Sequence, residues 1–254
     1  YAREILTEEY GEGLNEELLK RKDVLTGILN GVDYKEWRTG DNPHLVAGYD
    51  SDNLSGKAEC KEQLLEVFEL RNDGLPLLAV VSRLAEQKGI SQMVEALAEL
   101  LPDNRFQFVL LGSGDEALES VLRQLQETYP DQVGVKIGYD QSLSHKIEAG
   151  ADFFLMPSHF EPCGLNQLYS LRYGTIPIVH AVGGLKDSIT DISQANGNGI
   201  CYDCFGVPQL RAAILRALKM YPDQHLMGAV RKRGTKQDFS WPTAADQYLE
   251  VYMP

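Results

Sequence analysis

The chain has 254 residues, 43% of them hydrophobic and 24% charged, a composition that is ordinary for a folded globular protein. Its formal net charge of −13 argues against nucleic acid or an anionic membrane as a partner, so any phosphate site must be a local basic pocket. No apolar run has the length of a membrane-spanning helix and no signal peptide is visible, which predicts a cytoplasmic protein.

The amino-terminal part of the chain carries few regular patterns. Tyr1 already lies in what looks like a structural element and no initiator methionine precedes it, so we expect a fragment or a processed chain. Residues 38–56 are polar and rich in glycine, aspartate and asparagine, which predicts a long loop.

From about residue 60, short apolar runs alternate with amphipathic segments. This alternation is typical of βαβ units and predicts an α/β fold with a Rossmann-like, doubly wound parallel sheet. The candidate strands are 77–81, 106–111, 133–137, 152–156, 176–179 and 199–202. The candidate helices are 91–101, 116–128, 143–148, 166–173, 185–189, 207–221 and 243–252.

Two cations follow the first candidate strand. Arg83 and Lys88 lie in a loop at its carboxyl end, where α/β folds bind ligands, and together they could neutralise a diphosphate. The alternative is a solvated basic pair that Glu86 balances.

The next two strand ends carry glycine and aromatic residues. Gly112 and Gly114 belong to a G-x-G-x-x-A pattern, but the acidic residues at 115 and 116 would stand where a pyrophosphate should bind. We therefore interpret the glycines as a tight turn that lines a pocket rather than as an NAD site. Tyr139, after the third strand, could stack on a base or could be an ordinary core or surface tyrosine.

The turn at residues 158–165 is the most informative segment. Backbone N–H groups around Leu165 and Asn166, at the predicted helix start, suit a phosphate. Glu161 cannot bind that anion, but its carboxylate could accept hydrogen bonds from ligand hydroxyls, a combination that describes a nucleotide sugar. The alternative is that Glu161 caps the helix. A further glycine turn, at Gly183 and Gly184, could present amides to the same ligand.

No cofactor or metal ion is predicted. Cys201 and Cys204 have C-x-x-C spacing, but no second pair or histidine cluster accompanies them, and a structural zinc needs four ligands. The acidic D-x-D pattern at residues 50–52 lies in a loop without a preceding strand.

The pattern of the 158–165 turn continues into a long resemblance. The chain resembles bacterial glycogen synthases and plant starch synthases, which are retaining glycosyltransferases of the GT-B fold. Four segments carry the likeness along almost the whole chain: Ile28 to Trp37, Val81 to Gly89, Glu161 to Pro177, and Phe239 to Ala245. The resemblance implies that residues 1–29 end a missing N-terminal domain, that 30–238 form the C-terminal donor-binding half, and that 239–254 form a crossover helix.

The resemblance also implies roles for the matching residues. Arg83 and Lys88 would hold the donor diphosphate and stabilise the leaving group, and Glu161 would bind glucose hydroxyls. Tyr139 would stack on adenine. The remaining implied binding residues are Ser158, Cys163, Gly164, Leu165, Asn166, Gln167, Gly112, Gly114, Gly183 and Gly184.

The implied reaction transfers glucose from ADP-glucose to the non-reducing end of an α-1,4-glucan with retention. In related families a second glutamate follows the first by eight positions, but Tyr169 stands there, which disfavours a two-carboxylate mechanism and favours front-face attack. The family's N-terminal glycine loop and histidine are absent, so we expect little synthase activity from this chain alone. A UDP-glucose enzyme and a catalytically silent nucleotide-binding module are the alternatives.

Overall fold

A six-stranded parallel sheet with strand order β3-β2-β1-β4-β5-β6 forms the centre of the computed structural model. The model describes residues 1–253. The strands are β1 (Leu77–Leu84), β2 (Gln107–Gly114), β3 (Val133–Ile137), β4 (Phe153–Met156), β5 (Ile176–His180) and β6 (Ile200–Tyr202).

Helices follow the strands and cover both faces of the sheet. They are α1 (Asn15–Leu19), α2 (Gly56–Val67), α3 (Ile90–Leu100), α4 (Glu116–Thr128), α5 (Gln141–Gly150), α6 (Asn166–Tyr173), α7 (Gly183–Ser188), α8 (Val207–Met220), α9 (Gln224–Thr235) and α10 (Trp241–Tyr252). None of the helices in residues 1–253 combines the length and the apolar character that crossing a membrane requires.

The apolar strands are buried from both sides, which explains why they read as continuous hydrophobic runs. Along β1, Leu78 and Val80 contribute to one core cluster, with the helices α3, α4 and α8. Leu77 and Ala79 contribute to a second cluster on the opposite face, with α2 and α5. Successive side chains of a strand point to opposite faces of the sheet, so one apolar run contributes side chains to both core clusters.

The order of the strands reverses between β1 and β4. Leu78 pairs with Phe153 of β4 on one side of β1 and with Phe108 of β2 on the other. The chain therefore winds outward in one direction through β3 and in the other through β6. In sheets of this kind, ligands bind beyond the carboxyl ends of the strands at this switch point.

The predicted sheet and fold class are confirmed. The structure extends β1 by three residues beyond the predicted end, to Leu84, and it begins α5 and α7 two residues earlier than predicted. The candidate helices did not include α1 or α9. Outside these elements, residues 25–55 are mostly irregular, and Val32 forms an isolated parallel bridge with Ser240 that ties this segment to the start of α10.

Candidate functional site

A cavity of about 390 Å³ lies at the carboxyl ends of β1 and β4, at the switch point of the sheet. The loops that follow these two strands form most of its wall. The lining residues are Asn30, Val80, Val81, Ser82, Arg83, Lys88, Ile90, Phe154 to Ser158, and Glu161 to Asn166.

Lys88 and Glu161 meet inside this cavity. Lys88 ends a short 3-10 turn after β1, and its Nζ lies 2.5 Å from Oε2 of Glu161, in the loop after β4. Ser158 Oγ donates a hydrogen bond of 3.1 Å to the same oxygen. The side chains of the lysine and the glutamate are only 19% and 8% exposed, so the pair is shielded from water and its attraction is strong.

Arg83 supplies a second cation to the cavity. Arg83 is exposed to solvent, and its guanidinium group has no ion-pair partner among residues 1–253. Nearby, Asn166 Nδ2 donates to the Val81 carbonyl oxygen at 2.5 Å, which fastens the start of α6 to the end of β1. The cavity thus combines two cations with one carboxylate, and a role of this pocket in phosphate binding stays a prediction.

The start of α6 faces the cavity without a side-chain cap. Leu165 occupies the N-cap position and no side chain bonds to the first turn, so the alternative in which Glu161 caps this helix is wrong. The uncapped N-terminus leaves backbone N–H groups beside Cys163, Gly164 and Asn166, all of which line the cavity.

Gln167 supports this turn from behind and does not line the cavity. Its buried Nε2 donates to the carbonyl oxygens of Cys163 and Gly164 and to Ser188 Oγ. Gly164 has φ of +69°, a left-handed conformation that favours glycine. The glutamine therefore fixes the conformation of the turn rather than facing a ligand.

Gly183 and Gly184 also act on the turn. The Gly184 N–H donates to the Glu161 carbonyl oxygen at 2.9 Å, and a β-carbon on Gly184 would collide with the Cys163 carbonyl oxygen. The Gly183 N–H donates to Glu4 Oε1 at 2.8 Å. In this structure the first amide of the glycine turn is thus occupied by a carboxylate from the amino-terminal segment.

Gly112 and Gly114 are explained by strand packing. A β-carbon on either glycine would collide with a carbonyl oxygen of β1, that of Ser82 or that of Leu84. Asp115 accepts hydrogen bonds from two N–H groups of the first turn of α4, so its carboxylate occupies the place of a pyrophosphate. A role of these glycines in ligand binding stays a prediction.

Tyr139 follows β3, two strands away from the cavity along the sheet edge, and is 86% exposed. It does not line the cavity, so a ligand would have to extend across the end of β2 to reach it. The two cysteines at 201 and 204 are free thiols, and residues 1–253 contain no cluster of three or more potential metal ligands.

Two residues near the site escaped the sequence analysis. Asn30, in the irregular segment before α2, lines the cavity, and its N–H lies 3.3 Å from Cys163 Sγ. Glu4, in the amino-terminal segment, accepts a hydrogen bond from Gly183 and lines a second cavity of about 930 Å³. Pro162 and Asn30 line both cavities, which therefore adjoin.

Tyr169, at the position of the second glutamate of related families, is packed away in a stack. Its ring lies 3.6 Å from that of Trp37, centroid to centroid, with an angle of 5° between the planes. Trp37 also stacks on His145, and burial lowers the pKa of this histidine to about 4. The aromatic stack thus anchors the segment before α2 to α5 and α6.

Comparisons with known proteins give matches over most of the chain. A family model described as "Glycosyl transferases group 1" matches residues 62–234. The chain is 48% identical to a glycogen synthase from Thioalkalivibrio sulfidiphilus, with 99% of this chain and 53% of that protein covered. It is 51% identical to a glycogen synthase from Myxococcus xanthus, with 99% and 52% covered.

A solved structure also matches almost the whole chain. The catalytic domain of starch synthase IV from Arabidopsis thaliana, bound to ADP and acarbose, superimposes with a TM-score of 0.93 at 35% identity. The match covers 99% of this chain and 53% of that one. The chain therefore spans about half the length of the relatives it matches.

Proposed function

Because this chain belongs to the group 1 glycosyl transferases, we propose that it is the donor-binding half of a glycogen or starch synthase. Such an enzyme transfers glucose from ADP-glucose to the non-reducing end of an α-1,4-glucan, with retention at the anomeric carbon. The glycogen synthase names of the relatives support the proposal. The carrying observation is the Lys88–Glu161 pair in a cavity at the switch point.

Each group in the cavity has a place in this reaction. Arg83 and Lys88 bind the donor diphosphate and stabilise the negative charge that develops on it as the glucosyl bond breaks. The N–H groups at the start of α6 add further donors to the phosphates. Glu161 accepts hydrogen bonds from the glucose hydroxyls and thereby orients the sugar. Since Tyr169 is held in the stack with Trp37, we retain front-face attack by the acceptor.

The remaining half of the enzyme would provide the acceptor contacts. The relatives are about twice as long as this chain, which supports a second domain that closes over the donor. The cavity of about 930 Å³ beside Glu4 and the start of α10 adjoins the donor cavity and would face that cleft. We keep residues 1–29 as the end of that domain, 30–238 as the donor domain and 239–254 as the crossover helix. The cytoplasmic location stays a prediction.

Isothermal titration calorimetry of the 254-residue chain with ADP-glucose tests the donor site. Lys88→Ala should weaken binding about tenfold or more, because it removes a hydrogen bond to a charged group, worth about 1.5–3 kcal/mol. Lys219→Ala, an exposed lysine on α8 outside the cavity, is the matched control and should leave the affinity unchanged. Absence of ADP-glucose binding to the unaltered chain would contradict the proposed function.

Two further measurements define the donor and the activity. Competition between ADP-glucose and UDP-glucose tests the base, and Tyr139→Ala should weaken both ligands if this exposed ring stacks on a base. The chain alone should incorporate little or no labelled glucose into glycogen, and clear glucan elongation would contradict the division of labour between the two halves.

A further inference from the structure

The carboxylate in the donor cavity has an unusual electrostatic position. Glu161 is the one acidic residue among the lining residues that the structure describes, and it contacts the same lysine that is proposed to hold the diphosphate. Lys88 and Glu161 therefore neutralise each other in this structure, while Arg83 has no counter-charge among residues 1–253. A ligand must reorganise this pair in order to bind.

A nucleoside diphosphate without a sugar can interact favourably with Lys88 but not with Glu161. Its phosphates attract Lys88, but they bring negative charge beside Glu161, whose side chain is only 8% exposed. Like charges repel strongly where water is largely excluded. Weakening the contact with Lys88 also leaves a shielded carboxylate with Ser158 Oγ as its only other hydrogen-bond donor among residues 1–253.

A sugar-bearing nucleoside diphosphate can interact favourably with both Lys88 and Glu161. Its phosphates engage the lysine, while its hydroxyls donate to the carboxylate and replace the contact that the lysine gave up. Glu161 Oε2 accepts hydrogen bonds from Lys88 and Ser158, whereas Oε1 has no hydrogen-bond partner among residues 1–253. Both oxygens can therefore accept hydrogen bonds from the sugar hydroxyls, Oε2 in place of the lysine and Oε1 directly.

We propose that Glu161 is an internal counter-ion for Lys88 that makes the site select a sugar-bearing nucleoside diphosphate over the bare nucleoside diphosphate. The inference rests on the proposed function. Its consequence is that the spent nucleotide, once the sugar has left, binds more weakly than the donor, because the carboxylate that had bound the sugar then lies unneutralised beside the phosphates. The residue thus determines specificity between substrate and product as well as orienting the glucose.

Glu161→Gln tests this proposal because it removes the charge but keeps the size of the side chain. The backbone bond from the Gly184 N–H to the Glu161 carbonyl oxygen is also retained, so the loop should keep its fold, which circular dichroism and the unfolding midpoint would verify. Calorimetry with ADP and with ADP-glucose at one ionic strength gives both affinities. The matched control is Glu95→Gln, an exposed carboxylate on α3 outside the cavity.

The variant should bind ADP more tightly, by on the order of tenfold, because a nearby like charge is gone and Lys88 is free. It should bind ADP-glucose more weakly, because a charge-assisted hydrogen bond becomes a neutral one. The control should change neither affinity. If both ligands bind the unaltered chain and Glu161→Gln weakens ADP as much as ADP-glucose, the inference is refuted and the proposed function stands. If neither ligand binds the unaltered chain, both the inference and the proposed function are refuted.

Discussion

Asp152 should be the most sensitive charged position in the fold, because its carboxylate holds two cations out of water at the start of β4. Lys61 Nζ from α2 and Arg231 Nη2 from α9 each lie 2.6 Å from one of its oxygens, and the Leu77 N–H at the start of β1 donates to it at 3.0 Å. Asp152→Asn keeps the size of the side chain but leaves both cations without a counter-charge. Breaking a buried pair in this way costs about 3–5 kcal/mol, a large part of the ~5–15 kcal/mol that stabilises a typical domain.

Urea unfolding, followed by tryptophan fluorescence, measures this loss as a lower midpoint. The matched control is Asp131→Asn, which breaks an ion pair with Arg71 whose side chains are about 70% exposed, and which should cost less than about 1 kcal/mol. Burial alone would raise the pKa of Asp152, but Lys61 and Arg231 hold it below its ordinary value.

The stability that Asp152 contributes is therefore present above the unfolded pKa of about 4 and is lost as pH falls through the lower folded value. The difference between the unaltered chain and Asp152→Asn should be constant near neutral pH and should shrink in acid. If Asp152→Asn costs no more than Asp131→Asn, the reasoning on shielded charges in this fold is refuted.

Two further changes test the interior and the site loop. Burial raises the pKa of Glu148 to about 8, so the carboxyl keeps a proton that the unfolded chain releases, and stability should fall between about pH 4.5 and pH 8. Glu148→Gln can still accept the hydrogen bond from Ser170 and should remove this part of the pH dependence of urea unfolding; an unchanged profile would contradict the raised pKa. Gly184→Ala should destabilise the chain by roughly 1–3 kcal/mol because its β-carbon meets the Cys163 carbonyl oxygen. Gly228→Ala, on α9 with open space around the added carbon, should be neutral or stabilising by up to about 1 kcal/mol in the same urea unfolding assay.

Much of the sheet could be predicted because its strands are buried on both faces. The limits of β3 at Val133 and Ile137 and those of α4 and α6 follow from apolar runs and helical spacing that end at glycine, proline or polar residues. The helix α9 escaped prediction because its sequence is polar and contains Gly228 and Gly234, so its pattern resembles a loop. Packing of Met227 and Val230 against the core stabilises it instead, and this is a tertiary effect.

The members of the site could be predicted individually, whereas their contacts could not. Lys88 and Glu161 each follow a recognisable strand, but their contact spans 73 residues and depends on β1 lying beside β4. The bond from the Gly183 N–H to Glu4 spans 179 residues and joins the amino-terminal segment to the start of α7. Local patterns carry no information on such distances, because strand order is set by the packing of the whole sheet.

The close approach of the two loops depends on one glycine. Gly89, directly after Lys88, has φ of +68° and ends the 3-10 turn that presents the lysine. A β-carbon at this position would collide with the Pro157 carbonyl oxygen, in the loop that leads to Ser158 and Glu161. Any larger residue would have to push the β1 loop away from the β4 loop and so lengthen the contact between the lysine and the carboxylate. The electrostatic coupling on which the selection of a sugar-bearing ligand rests thus depends on the backbone, because a left-handed glycine without a side chain lets the two loops bring opposite charges to the same cavity.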